Sequence, residues 1–149
     1  KIAVKVVIKR IDKSLPLPKY ETAGSVGFDF VTREDTVIKT KTLGFVPGNV
    51  VVKVPLGYML LVAARSSTPR KKGLSIPHGI GVIDQDYSGN SDEIKVLVYN
   101  FSDEAVEIKR GERIAQGVFV RVDQATFEEV EEMSEQNRGG FGSTGGHFN

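Results

Sequence analysis

The stretch GVIDQDYSGNSDEIKVLVYN, Gly81 to Asn100, carries the residues best suited to chemistry. Two carboxylates and a phenol, Asp84, Asp86 and Tyr87, crowd a glycine-bounded bend, and the second half alternates as a strand does. A plain turn uses an aspartate for its backbone hydrogen bonds. It has no need of the apolar pair Val82 and Ile83 before it or the aromatic after it. Asp84 in such a bend can serve as a general base.

Other stretches supply groups suited to anions. In ARSSTPRKKG, Ala64 to Gly73, Arg65 offers a fork of donors and Ser66 and Ser67 offer hydroxyls beside backbone N–H groups, a set that suits phosphate. The same residues also read as a serine helix cap followed by a solvated basic loop. In GFGSTG, Gly140 to Gly145, glycines let backbone N–H groups approach anionic oxygens, and Ser143 and Thr144 add donors. No lysine and no helix follow in the manner of a P-loop. The competing reading is a disordered tail, but Phe141 would be useful there if it closed over a flat base. Gln116, in RIAQG, is either an outward-facing polar strand residue or a further donor. Asp29, in AGSVGFDF, reads first as an aspartate holding a turn. His78 and His147 are the only histidines. Neither stands at metal-ligand spacing, so no zinc site is assigned; His78 precedes the turn at Gly79–Asp84 and is a candidate to line it.

These groups need a scaffold, and the rest of the chain reads as one. At 149 residues it suggests a single domain, long enough to bury a core without disulfides. There is no cysteine, which excludes a disulfide framework and a thiolate zinc site and fits a reducing compartment. The net charge of +1 demands neither nucleic acid nor an anionic membrane, and no apolar run approaches the ~20 residues that span a bilayer. The runs KIAVKVVIKR, TVIK, NVVVKVP, YMLLVAA, EIKVLVYN, AVEIKRGE and RIAQGVFV read as strands punctuated by Pro47-Gly48 and Pro55-Leu56-Gly57. Strands at this spacing point to a β-sandwich or barrel. ATFEEVEEM suits either a helix or an edge strand. There is no internal repeat and no linker.

Taken in order, AGSVGFDF, ARSS, GVIDQDYSG, RIAQ and RGGFGSTG resemble the five motifs of the homotrimeric dUTPases, over Ala23 to Gly145. The resemblance implies an all-β distorted jelly-roll barrel over residues 1–137 and a flexible glycine-rich lid over 138–149. It implies a homotrimer whose active sites each draw on three subunits. The implied reaction cleaves dUTP to dUMP and pyrophosphate by attack of water at the α-phosphorus, which keeps uracil out of DNA and supplies dUMP for thymidylate synthesis. Mg²⁺ is the implied cofactor, held by substrate phosphates and waters, with Asp29 at most in its outer shell. Asp84 matches the aspartate that activates the water. Tyr87 matches the aromatic that packs on the deoxyribose and leaves no room for a 2′-hydroxyl. His78, Val82 and Ile83 lie in the hairpin that reads uracil, with Lys95 on the returning strand. Arg65, Ser66, Ser67 and Gln116 match phosphate-binding positions. Phe141 matches the aromatic that stacks on uracil, and Arg138, Gly142, Ser143 and Thr144 match the tail's contacts with the triphosphate. A cytoplasmic enzyme with no nucleic-acid or membrane partner is expected.

Three features depart from the family's usual pattern. Arg138 stands only three residues before Phe141, the segment GNSDEIK is long, and SSTP replaces the commoner SGLA. A rival on the same fold, a dCTP deaminase, carries a catalytic glutamate where this chain has Leu97; a jelly-roll module that only binds nucleotide would lack Asp84 or the tail, and both are present.

Overall fold

The chain is described by a computed structural model over residues 3–148. Eleven short strands, all paired antiparallel, make up almost all of its regular structure: β1 (Val7–Arg10), β2 (Gly27–Asp29), β3 (Thr36–Ile38), β4 (Leu43–Pro47), β5 (Val50–Lys53), β6 (Tyr58–Ala64), β7 (Leu74–Ser75), β8 (Gly81–Ile83), β9 (Lys95–Asn100), β10 (Val106–Ile108) and β11 (Ala115–Arg121). One helical turn, Thr68–Lys72, follows β6. The strands form four ladders, β2-β11-β6-β8, β4-β9-β7, β1-β5 and β3-β10. The expectation of an all-β fold holds, although the ladders do not join into one closed barrel.

Alternation along the strands makes the core. Val96, Val98 and Asn100 of β9 point inward, as do Leu60 and Val62 of β6, and they meet Phe28, Phe30, Ile38, Val46, Val50, Val52, Leu74, Ile94 and Ile108. Each fully buried side chain of this kind contributes about 1.5–3 kcal/mol. The polar exception is satisfied: Asn100 donates to the carbonyls of Ile38 (2.9 Å) and Glu104 (2.8 Å), and its Oδ1 accepts from Ser102. Gly117, in the middle of β11, is required by packing. A Cβ there would lie 2.7 Å from Cζ of Phe28 and 3.0 Å from Cζ of Phe30.

The sequence expectations differ from the structure in places. Of the run Lys1–Arg10, strand covers only Val7–Arg10, and Lys1 and Ile2 lie outside the described residues. ATFEEVEEM is neither helix nor strand and is exposed throughout. After the bond from Val122 N–H to the Gly57 carbonyl (2.9 Å), no described residue of the C-terminal segment hydrogen-bonds to the body. Glu128, Glu129, Glu131 and Glu132 would repel one another at helical spacing, and no strand edge of this copy lies beside them. Phe127, Val130 and Met133 stay exposed.

Asp12 ties the β1 end to the strand connections. Its carboxylate accepts from Ser14 Oγ (2.6 Å), from Arg110 Nη2 (3.0 Å) and from the Ser14 N–H (2.9 Å), and these bonds lower its pKa to about 2. A folded-state pKa below the unfolded value means that the folded state holds the proton less well. The stabilisation is therefore complete above pH ~4 and disappears as pH falls toward 2. Asp12→Asn should lower the urea midpoint at pH 7, and the gap to wild type should close between about pH 4 and pH 2. A gap that stays constant with pH would contradict this.

Candidate functional site

Two sets of the sequence-predicted residues assemble, at opposite ends of one sheet. The first lies where β2, β11 and β6 end together. Gln116 of β11 is opposite Asp29 of β2 on one side and Ala63 of β6 on the other. Arg65 follows β6 directly, and its guanidinium is held there. Nε pairs with Asp29 Oδ1 at 3.1 Å, and Nη1 donates to the Arg113 carbonyl at 2.9 Å. No bond occupies Nη2 among the described residues, which leaves that edge of the fork free for an anion. Gln116 donates from Nε2 to the Ala64 carbonyl (3.0 Å), so it is half-buried and fixed and does not simply face outward. Gly27 makes room for it, because a Cβ at that position would strike the Gln116 amide oxygen.

The helical turn is docked by Thr68, buried, whose Oγ1 donates to the Ile114 carbonyl at 2.6 Å. Pro69 sits in its first turn, where a missing N–H does no harm. Ser67 precedes the turn yet makes no side-chain capping bond. The serine thus takes the cap position without the capping bond, and its hydroxyl and that of exposed Ser66 remain available. Asp29 does more than hold a turn: it is a strand residue whose carboxylate faces Arg65 and, at 3.9 Å, Arg113.

The second set surrounds β8. Its register, Gly81 with Val62 and Ile83 with Leu60, carries the chain toward the Tyr58 end of β6, and Gln85 Nε2 donates to the Tyr58 carbonyl at 2.9 Å. Asp84 therefore emerges exposed just past β8. A cavity of about 200 Å³ opens along β8, the strand that Asp84 follows, with His78, Gly81, Val82, Ile83, Lys95 and Leu97 in its wall. Its size suits one flat ring. Tyr87 stands partly exposed at the tip, with its hydroxyl donating to the Glu93 carbonyl at 3.0 Å. Glu93, a residue the sequence did not single out, is the buried anchor of this hairpin.

Within the chain the two sets stand apart. Asp84 leaves the sheet at the level of Met59, six residues along β6 from Arg65, or about 20 Å at ~3.3 Å per residue. The tail forms a third group, apart from both. Two successive turns close it, Ser143 N–H to Gly140 carbonyl (3.2 Å) and Gly145 N–H to Gly142 carbonyl (3.1 Å). Phe141 and Gly142 both take positive φ, which presents the Phe141 ring fully to solvent. Arg138, Ser143 and Thr144 touch neither set. Among the described residues no cluster of three His, Asp or Glu side chains could hold a metal ion, and Asp29 is already engaged by arginine. No helix of the described residues is long and apolar enough to cross a membrane.

The family model described as dUTPase matches residues 13–145. The deoxyuridine 5'-triphosphate nucleotidohydrolase of Zymomonas mobilis is 42% identical over 95% of this chain and 98% of its own length. That of Thermobifida fusca is 43% identical over 97% of this chain and 80% of its own. The crystal structure of the Streptococcus mutans dUTPase, 35% identical, superposes with a TM-score of 0.73 over 80% of this chain and 98% of that one. A dUTPase variant of Staphylococcus bacteriophage 80alpha with dUpNHpp, at 23% identity, shares the fold with a TM-score of 0.85 over 96% of this chain and 99% of that one.

If Asp29 holds Arg65, Asp29→Ala leaves the arginine unpaired in a half-buried setting and should destabilise the fold by about 1–3 kcal/mol in urea titration. Asp86→Ala, at an exposed turn position, should change it by less than about 0.5 kcal/mol. Equal effects would contradict the ion pair's structural role.

Proposed function

The chain belongs to the dUTPase family, and we infer from this membership and from the site that it hydrolyses dUTP to dUMP. The carrying observation is that a relative matched over nearly its whole length shares the family while the chemical groups the reaction needs are present here, above all Asp84 directly after the strand that walls a ring-sized cavity.

Asp84 orients a water molecule and accepts its proton as the water oxygen bonds to the α-phosphorus. The bond from that phosphorus to the bridging oxygen breaks, and pyrophosphate leaves with the electron pair. Arg65, Ser66, Ser67 and Gln116 bind the phosphates and neutralise charge in place. Mg²⁺ coordinated by the phosphates and waters supplies further neutralisation when bound; the donor set suits this, since such an ion needs no dedicated protein cage. In the cavity, the backbone from His78 to Asp84, with Val82 and Ile83, meets uracil's two carbonyls and ring N–H. Cytosine presents a different donor order there and is refused, and thymine is refused by its methyl group. Lys95 contacts the nucleotide from the returning strand. Tyr87 packs on the deoxyribose and excludes a 2′-hydroxyl. Leu97 in the cavity wall has no proton to give or take, which argues against deamination at this position.

The 20 Å between Asp84 and Arg65 supports a site completed by other copies of the chain. We assign it to a homotrimer in which one copy offers the Arg65 set, a second the Asp84 hairpin and the third its tail. The body over 1–137 is the catalytic scaffold. The segment 138–149 is the lid, with Phe141 stacked on uracil and Arg138, Gly142, Ser143 and Thr144 on the outer phosphates. The protein works in the cytoplasm, without nucleic-acid or membrane partners.

Phosphorus NMR of a reaction with dUTP should show dUMP and pyrophosphate as first products, and heavy-oxygen water should label dUMP. Orthophosphate as first product, or label in pyrophosphate, would contradict the mechanism. Asp84→Asn should lower kcat by roughly 10²-fold or more while substrate still binds, and Asp86→Asn should do far less.

A further inference from the structure

We propose that the buried pair Glu93–Arg33 is a positioning device for Tyr87 and thereby sets discrimination between deoxyribose and ribose nucleotides; this rests on the function proposed above. Tyr87 is partly exposed, and what holds its ring is the bond from its hydroxyl to the Glu93 carbonyl (3.0 Å). That carbonyl is held from two sides: the N–H of the same peptide, on Ile94, donates to the Val50 carbonyl at 2.9 Å, and the Glu93 side chain is itself anchored. Glu93 is only 6% exposed, and its carboxylate receives Arg33 Nε at 2.7 Å and Nη2 at 3.1 Å, a two-pronged pairing that fixes orientation as well as distance. Its Oε2 also accepts the N–H of Asn49 at 2.9 Å. Asn49 is fully buried at a positive φ of 71° and is itself held by the N–H and carbonyl of Asp12.

The hairpin between Tyr87 and Glu93 is closed separately. The Gly89 N–H donates to Asp92 Oδ2 at 2.8 Å, the Asp92 N–H donates to the Gly89 carbonyl at 3.0 Å, and Lys9 Nζ reaches the Asn90 carbonyl at 3.1 Å. The tip can therefore keep its shape while the Tyr87 hydroxyl loses its fixed acceptor. A ring that only needs to lie flat on a deoxyribose tolerates some freedom. A ring that must deny space to one hydroxyl does not, because a displacement of about 1 Å opens that space. Arg33 and Glu93 touch no reacting atom in this scheme and act through Tyr87 alone.

The test is kcat/KM for dUTP and for UTP on the full chain bearing Glu93→Gln, Tyr87→Phe, both together, and Tyr87→Ala as the open-gate reference. Glu93→Gln and Tyr87→Phe should each raise the UTP/dUTP ratio by about tenfold, Tyr87→Ala by more. The double variant should exceed neither single, since both break one linkage. A pair that only stabilises the fold would lower melting temperature and reduce both activities in proportion; a ratio within about twofold of wild type would overturn the proposal. Should Glu93→Gln not fold, Tyr87→Phe decides alone, because it deletes one exposed-side hydroxyl and an unmoved ratio sinks the linkage. Wild-type chain inert toward dUTP would overturn the underlying function instead. Active wild type with an unmoved ratio overturns the positioning role only.

Discussion

β6 runs between β11 and β8, antiparallel to both, and its seven residues separate the chemistry. One neighbour brings Gln116 and Asp29 to the Ala64 end; the other carries Asp84 off past the Met59 end. The ladder hydrogen bonds forbid sliding, because a one-residue slip would turn Leu60 and Val62 out of the core. Arg65 and Asp84 thus leave the sheet toward opposite ends of β6, and the catalytic proposal therefore calls for more than one copy.

Each half-site is stiffened by contacts that do no chemistry. Arg65 is aimed by Asp29 and by the Arg113 carbonyl, Thr68 docks the loop that carries Ser66 and Ser67, and Gly27 yields space to Gln116. On the other side, Glu93 and Arg33 fix the far leg of the Tyr87 hairpin. The hydrogen-bonded Glu93 carboxylate raises the pKa of the Arg33 guanidinium, against the opposing effect of burial. Fixed donors and acceptors of this kind spare the site reorganisation during reaction.

Much of this was legible in the chain, and the pattern of what was not has physical causes. YMLLVAA is strand from first residue to last, because a long apolar run bounded by Gly57 and Arg65 has one reading. β2, β4 and β8 escaped notice because stretches of three to five residues carrying Gly or Pro show no period, and the two residues of β7 are too few to show one. ATFEEVEEM was ambiguous because its apolar spacing fits two periods, and in one copy neither partner surface exists. The residue types for phosphate and base were readable, since Arg, Ser, Asp and Tyr announce their chemistry. Their partners were not. Asp29 with Arg65, and Tyr87 with Glu93 and Arg33, are contacts that folding makes, and no spacing encodes them. The domain boundary, the individual site assignments and the trimer rest on the family reading and on the 20 Å separation that favours them.

That separation is tested most directly by mixing two defective chains. One carries Arg65→Gln with Asp84 intact, and the other Asp84→Asn with Arg65 intact. Each alone should be nearly inactive. After co-unfolding and refolding at equal amounts, random assembly around a threefold axis makes about three-quarters of the trimers mixed, and about one site in four joins an intact Arg65 to an intact Asp84. Activity near a quarter of wild type is the result predicted here. A mixture no more active than its parents would mean that both residues serve one site from a single chain, and would contradict the account.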